Sequence, residues 1–202
     1  MEYSNLLSLI GVFFFGISGT MVAARARLDL FGVAFVACVG ALGGGTLRDL
    51  LIGHYPLRWV DDYRYIAAVL AGVMTALVFR DKLMAVKKLI FAADTLGIGF
   101  FMVSGIRLCL ESGLSSPIAL VFGMLSVIVG GLLRDVLCNE VPIILRKELV
   151  ATASFAGGIV YLLLAWFQLP ETLNTVGAVG FVALLRVLGW RYKWQLPTVN
   201  WH

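Results

Sequence analysis

The stretch that decides the fold reads Gly-Gly-Thr-Leu-Arg-Asp-Leu-Leu at residues 44–51, and it returns as Gly-Gly-Leu-Leu-Arg-Asp-Val-Leu at residues 130–137. The copies lie 86 residues apart (130 − 44), and the same ungapped shift places Pro56 on Pro142. Apolar matches arise easily by chance in an apolar chain, whereas a shared Gly-Gly-x-Leu-Arg-Asp at a fixed distance before a proline does not. The sequence therefore indicates two copies of one unit.

The composition is that of a membrane protein. Of 202 residues, 60% are hydrophobic and 14% are charged, where a soluble domain carries about a quarter charged residues. The charges are also segregated, leaving uncharged stretches at residues 3–24, 30–47, 112–133 and 149–170. A helix needs roughly 20 apolar residues to cross the hydrocarbon core. This pattern excludes a soluble α/β enzyme and predicts an all-α integral membrane protein that forms a single membrane domain.

Seven transmembrane helices are predicted, at about residues 4–23, 30–52, 63–80, 89–108, 115–138, 149–169 and 172–189. The first three form repeat 1 (about 4–80) and the next three form repeat 2 (about 89–169). Because three is an odd number, the second copy must enter the membrane from the opposite side, which gives an inverted 3+3 repeat typical of transport proteins. The extra helix at 172–189 packs on the periphery or serves assembly. An even number of spans remains open if that last segment lies along the membrane surface.

Basic residues in the connections predict the orientation. One side collects Arg25, Arg27, Arg80, Lys82, Lys87, Lys88, Arg146, Lys147, Arg191 and Lys193, against Arg58, Arg64 and Arg107 on the other. The positive-inside rule then places the N-terminus outside and the C-terminus in the cytoplasm. The net charge of +4 is thus an orientation and lipid-contact signal, with no nucleic-acid partner expected. The short loops favour a multi-pass protein of the plasma membrane.

Glycines interrupt the second and fifth predicted spans at matching positions, Gly43, Gly44 and Gly45 in one and Gly130 and Gly131 in the other. Each glycine costs about 1 kcal/mol against alanine in a helix interior. Such a run favours a bend, and paired interrupted spans are typical of a permeation site. Small residues also let helices pack closely without any transport role. A kink lining the pathway and close packing both remain open, with the kink preferred for the Gly-Gly pairs.

Charged residues next to these glycines are the second candidate feature. Arg48-Asp49 and Arg134-Asp135 lie near opposite ends of their spans, where charges usually pair or face water. Neighbours on a helix differ by about 100°, so Arg48 need not bond Asp49 itself, and the two-fold relation suggests hydrogen bonds to freed backbone carbonyls or to the opposite repeat. They form either a charged gate at each pore mouth or a lock between helix end and loop. Asp94 lies inside the fourth predicted span. Its carboxylate either attracts cations or pairs with one of the lysines that precede it in the sequence, Lys87 or Lys88.

Hydroxyl side chains at Ser18, Thr46 and Ser104 could face a permeating ion, although such groups more often bond to their own helix. No metal-ligand spacing and no catalytic motif is present, so neither a bound metal nor an enzyme is expected. The three cysteines, Cys38, Cys109 and Cys138, are interpreted as buried small side chains.

The Gly-Gly-Gly-x-x-Arg-Asp of residues 43–49, its second copy at 130–136 and the Val141-Pro142 that follows resemble the trimeric intracellular cation (TRIC) channel superfamily. The likeness is to its bacterial branch, whose domain is often labelled a glycine transporter, and it covers residues 4–189. It implies a homotrimer with a pore in each subunit and permeation of monovalent cations, mainly potassium, with no cofactor. It also implies that the glycines kink the pore-lining spans and that the Arg-Asp pairs lie near the constriction or entrances. Val129 stands where the first copy has Gly43, so the fifth span is expected to bend less than the second.

Two functions follow from these observations. The first is a passive cation channel, lined by the second and fifth spans. The alternative is a secondary transporter of a small amino acid such as glycine, whose carboxylate would be held by half-helix N-termini at the breaks.

Overall fold

The computed structural model describes residues 2–79, 86–145 and 150–194, and these residues form eight α-helices and one short 3₁₀ helix. The α-helices are α1 Glu2–Arg25, α2 Leu30–Leu51, α3 Arg58–Asp61, α4 Arg64–Phe79, α5 Val86–Glu111, α6 Ser116–Leu137, α7 Val150–Trp166 and α8 Glu171–Tyr192, with the 3₁₀ helix at Ile143–Leu145. The second and fifth predicted spans are therefore α2 and α6.

Each predicted span has a long helix at its position, while α3 and the 3₁₀ helix were not predicted. Five helices, α1, α2, α5, α6 and α8, are long and apolar enough to cross a membrane. The other two, α4 and α7, are apolar but have 16 and 17 residues. Two boundaries of the predicted spans lie outside the described residues: the end of the third span at 80 and the start of the sixth at 149. The same is true of four of the basic residues, Arg80, Lys82, Arg146 and Lys147.

The turns after equivalent helices share a backbone conformation. Gly53 after α2 (φ 69°) and Asn139 after α6 (φ 54°) are both left-handed, and their numbers differ by 86. The same shift relates Arg27 (φ 60°) after α1 to Gly113 (φ 82°) after α5. Glycine and asparagine adopt this region most readily. The repeat in the sequence is therefore also a repeat of local backbone structure.

The centre of the molecule is an antiparallel pair of equivalent helices, α1 and α5. Ser8 on α1 bonds Ser104 on α5 at 2.9 Å, and ten residues later Ser18 bonds Asp94 at 3.3 Å. Residue numbers rise along one helix as they fall along the other. These two helices are also the most enclosed, with 67% and 72% of their most apolar stretches buried.

The helices α2 and α6 form a second antiparallel pair, held at close range by glycine. A Cβ on Gly44 would overlap the carbonyl oxygen of Ser126, and one on Gly130 would lie 2.5 Å from the carbonyl oxygen of Gly40. Side chains at these positions would force the two backbones apart. The absence of Cβ atoms therefore sets the distance between these two helices.

The remaining long helices pack around these pairs. α4 lies on α1, where a Cβ on Gly72 would be 2.5 Å from the carbonyl oxygen of Phe13. α7 and α8 pack on each other and on α5. Large apolar side chains face outward on α2, α4 and α8, including Phe31, Phe35, Met74, Val78, Leu173, Val176 and Trp190. Such a surface is suited to lipid tails and not to water.

Candidate functional site

Each Arg-Asp pair of the repeated motif is buried and bonded within itself. Arg48 donates from Nε and Nη2 to Asp49 Oδ1 at 3.0 and 2.8 Å, and Arg134 Nε donates to Asp135 Oδ1 at 2.8 Å. All four side chains are at most 3% exposed. The adjacent aspartate is thus a partner in both copies, and a contact with the opposite repeat also occurs, from Arg134 Nη1 to Ser18 Oγ at 2.7 Å. The arginine side chain is long enough to turn back along the helix and span the 100° between the two residues.

The second oxygen of each aspartate ties down the loop that follows the helix. Asp135 Oδ2 accepts from the backbone N–H of Ile143 at 2.8 Å, and Asp49 Oδ2 accepts from that of Arg58 at a longer 3.5 Å. These loops contain the two prolines of the repeat. The geometry is that of a lock between helix end and loop, one of the two interpretations of the motif.

Asp94 is the centre of a polar cluster whose residues come from four helices, α1, α5, α6 and α8. Its Oδ1 accepts from Arg134 Nη1 at 2.8 Å and its Oδ2 from Arg186 Nη1 at 3.0 Å. Ser18 donates to Asp94 at 3.3 Å and accepts from Arg134 Nη1 at 2.7 Å. We call Ser18, Asp94, Arg134, Asp135 and Arg186 the second Arg-Asp cluster.

The lysine pairing considered for Asp94 is not the one observed, because the described ion-pair partners of this carboxylate are arginines. Lys88 is exposed, and the side chain of Lys87 is outside the described part. Arg186 was missed as a site residue. The signal for it was present, since a lone cation inside an apolar span needs a counter-charge and Asp94 is the one acid inside a predicted span that lacks an adjacent arginine.

A matching group lies at the other end of α1 and α5. Arg58, also missed by sequence reasoning, donates from Nη1 to Ser8 Oγ at 3.3 Å, and Ser8 donates to Ser104. The guanidinium of Arg48 lies 5.7 Å from the ring centre of Phe101. We call Ser8, Arg48, Asp49, Arg58 and Ser104 the first Arg-Asp cluster.

The other candidate hydroxyls bond mainly to backbone. Thr46 donates to the Leu42 carbonyl at 2.8 Å and accepts from Trp59 Nε1 at 3.0 Å, while Ser104 donates to the Phe101 carbonyl at 3.1 Å. Ser18 differs because its described bonds are to the side chains of Asp94 and Arg134. No group of three or more His, Cys, Asp or Glu side chains suited to a metal occurs within the described ranges.

The candidate glycines have different surroundings. Both α2 and α6 are α-helical throughout their glycine runs, so a bend at these residues stays a prediction. A Cβ on Gly43 would meet Leu133 Cδ1 at 2.7 Å, and one on Gly45 would meet Phe101 Cζ at 3.1 Å. On Gly131 the nearest atom would be Arg134 Nη2 at 4.0 Å. Close packing is thus the observed role of several glycines, while Gly131 has free space beside it.

Two small cavities lie next to the clusters, and their walls are related by the 86-residue shift. The cavity at the second cluster, about 20 Å³ open to a water centre, is lined by Phe15, Asp94, Ile98, Val127, Ile128, Gly131, Leu132, Arg134, Asp135, Ile143, Ile144 and Val150. The cavity at the first cluster, about 10 Å³, is lined by Ser8, Val12, Ala41, Leu42, Gly45, Thr46, Arg48, Asp49, Arg58, Trp59, Tyr65 and Phe101. Such a space holds about one water molecule. Between them the rings of Phe15 and Phe101 meet edge to face, 5.7 Å apart.

Known proteins resemble the chain over nearly its whole length. A family model described as Glycine transporter matches residues 5–81 and again 91–166, with starts 86 residues apart. The inner membrane protein YadS of Escherichia coli is 34% identical over 195 residues, covering 95% of this chain and 94% of that protein. A membrane protein of Deinococcus radiodurans is 38% identical, covering 97% and 92%.

A solved structure has the same fold. The TRIC trimeric intracellular cation channel orthologue from Rhodobacter sphaeroides superposes with a TM-score of 0.88 at 30% identity, covering 96% of this chain and 100% of that one. Together with the apolar helices, these matches show a multi-pass membrane protein. The chain belongs to the family described as Glycine transporter, the bacterial branch of the TRIC channels.

Proposed function

We propose that the protein is a passive channel for monovalent cations, mainly potassium, with a pathway inside each subunit among α1, α2, α5 and α6. The observation that carries the proposal is the matched pair of cavities, each beside a buried Arg-Asp cluster and separated by one aromatic contact. A pathway along the interface of two repeats related by a two-fold axis would have equivalent residues lining its two ends, and the linings of the two cavities are related in this way. The similarity to solved TRIC cation channels supports the same function.

The proposal includes seven membrane spans arranged as an inverted 3+3 repeat with α8 added. Antiparallel packing of α1 with α5 and of α2 with α6 supports it, because equivalent helices in opposite directions need halves of opposite orientation. α4 and α7 are near the lower end of the lengths, roughly 17–25 residues, that cross a bilayer. The aromatic pair of Phe15 and Phe101 narrows the middle of the pathway.

An odd number of spans places the chain ends on opposite sides, and the basic connections favour an external N-terminus and a cytoplasmic C-terminus in the plasma membrane. Single cysteines test this orientation in a background without the native ones. In intact cells an impermeant maleimide should label Asp61→Cys and should label Arg27→Cys only after permeabilisation. The reverse pattern would refute the orientation.

Self-association into a homotrimer is part of the proposal, supported by the solved relative that is described as trimeric. The outward apolar faces of α2, α4 and α8 supply the surface for lipid and for other subunits. Light scattering coupled to size exclusion, corrected for detergent, should give three times the 22.0 kDa chain mass. A monomer that still conducts would contradict the trimer without contradicting the internal pathway.

The pathway is tested by filling it. Gly131 lines the cavity at the second cluster, and a Cβ there would approach no backbone atom of another residue within 4 Å, so Gly131→Leu is chosen to add bulk to the pathway. Gly180→Leu is the matched control, since that glycine is exposed on α8 with no atom within 4 Å of a Cβ. In proteoliposomes with a potassium gradient alone, native protein and Gly180→Leu should conduct, while Gly131→Leu should lose most of the flux. Equal flux in all three would refute the assignment.

The second candidate, a carrier of a small amino acid such as glycine, is supported by the description of the matching family. Cavities of about 10 and 20 Å³ are small for a five-heavy-atom solute, which favours the channel. One experiment distinguishes the channel from the carrier: recording on the purified protein in a planar bilayer. Unitary currents of many ions per opening support the channel, whereas saturable glycine counterflow without such currents supports the carrier.

A further inference from the structure

The two Arg-Asp clusters have the same architecture and different charge. The second contains two arginines and two aspartates, a balance of zero, while the first contains two arginines and one aspartate, a balance of +1. The 86-residue shift places Ser8 at the position equivalent to Asp94, while the second arginine of each cluster has no arginine at the equivalent position, since Arg58 corresponds to Ile144 and Arg186 lies outside the repeat. The first cluster therefore lacks a negative charge at a place where its counterpart has one.

One donor of the first cluster has no hydrogen-bond partner within the part of the chain that the structure describes. Nη1 of Arg48 is buried and makes no hydrogen bond to any described residue. The equivalent Nη1 of Arg134 donates to both Asp94 and Ser18. In the first cluster the residues at those two positions are serines, which bond each other at 2.9 Å. Leaving a buried charged donor unmatched is costly, so a bound group is expected there.

Two neighbouring acids, Asp61 and Asp62, do not supply the negative charge that the first cluster lacks. Asp61 and Asp62 line a wider cavity on the far side of Arg58, away from Arg48. Hydrogen bonds from Arg64 occupy Asp62 and hold the pKa of its carboxyl below its usual value. The unpaired nitrogen thus has no described carboxylate other than Asp49, which its own guanidinium already uses.

We propose that the first Arg-Asp cluster binds one small monovalent anion, chloride under ordinary salt conditions, beside Arg48 Nη1 at the place that the Asp94 carboxylate takes in the second cluster. Arg48 and Arg58 line a cavity beside this cluster that has room for about one water-sized occupant. That size selects a single-atom anion over a carboxylate-bearing solute. Binding neutralises the cluster and is a property of the folded chain, independent of conduction.

Bromide is the probe, because it replaces chloride and scatters anomalously. Crystals of the purified protein grown in sodium bromide should show an anomalous peak next to Arg48 Nη1. In detergent at constant sodium, replacing gluconate with bromide should raise the unfolding temperature saturably. A water without anomalous signal, or equal unfolding temperatures in the two salts, would overturn the proposal. So would stabilisation by formate or glycine without stabilisation by bromide.

Two substitutions at one position sharpen the test. Ser8→Asp supplies the missing carboxylate from within the chain, and the bromide dependence should disappear. Ser8→Ala removes the hydroxyl and leaves the charge deficit, so the dependence should persist. Retained bromide dependence in Ser8→Asp would overturn the proposal. If Ser8→Asp does not fold, the anomalous map and the salt response of the native chain decide alone. Because no flux is measured, a failed channel assay leaves this result unaffected.

Discussion

Replacing Asp94 with asparagine should destabilise the fold strongly. The carboxylate accepts from Arg134 at 2.8 Å and from Arg186 at 3.0 Å, and both arginine side chains are 3% exposed. Asparagine keeps the shape and removes the charge, so the two buried guanidinium groups lose the carboxylate that they share. Removing one member of a buried ion pair costs about 3–5 kcal/mol. We expect a loss of that size in the free energy of unfolding.

A second substitution should then restore stability. Arg186→Leu in the Asp94→Asn background removes the surplus cation and returns the cluster to one arginine and one aspartate. It also removes the contact of Arg186 with the Phe91 ring, 5.0 Å away, worth about 0.5–2 kcal/mol. The double variant should therefore be more stable than Asp94→Asn and less stable than the native chain. The free energy of unfolding of the native chain, the two single variants and the double variant is measured by circular dichroism during unfolding in mixed micelles. Losses that simply add would refute charge balance as the source of the cost.

Four further substitutions have expected outcomes. Asp135→Asn should speed amide hydrogen exchange at Ile143, because the Asp135 carboxylate accepts a hydrogen bond of 2.8 Å from that N–H. Unchanged exchange would argue against the lock between the end of α6 and the loop that follows it. Gly44→Ala should cost about 1–3 kcal/mol through overlap with the facing helix. Gly180→Ala should be neutral or stabilising by up to about 1 kcal/mol in the same unfolding assay. Phe101→Ala removes one side of the aromatic contact between the cavities, so potassium flux in proteoliposomes should rise, and lower flux in a folded variant would count against a central constriction.

The helices and the repeat were accessible from the sequence because both leave one-dimensional signals. Uncharged stretches of about 20 residues mark spans that must avoid charge in lipid. The duplicated Gly-Gly-x-Leu-Arg-Asp marks equivalent positions, and the left-handed residues Gly53 and Asn139 fall 86 residues apart as the shift requires. Short helices such as α3 leave no such signal, since four residues contain too little periodicity.

The sequence offers Arg186 as a candidate partner for Asp94, but which residues join each cluster depends on which helices meet. Asp94 and Arg186 are 92 residues apart and meet only through the packing of α5 on α8. The glycines were ambiguous for a different reason. A bend and a close approach both require a missing Cβ, so Gly44 gives the same sequence pattern in either case, and only the facing carbonyl on α6 reveals the contact.

The two proposals together constrain how the ends of the pathway behave. A cation approaching the second cluster meets a group of zero balance, whereas at the first cluster it meets a buried surplus of one positive charge. An anion beside Arg48 removes that surplus, so it lowers the electrostatic cost of a nearby cation. By thermodynamic linkage, a cation in the pathway must then raise the affinity of the cluster for the anion by the same factor. Bromide should bind more tightly in potassium than in an equal concentration of a large organic cation that cannot enter, and Ser8→Asp should abolish that difference because it neutralises the cluster permanently.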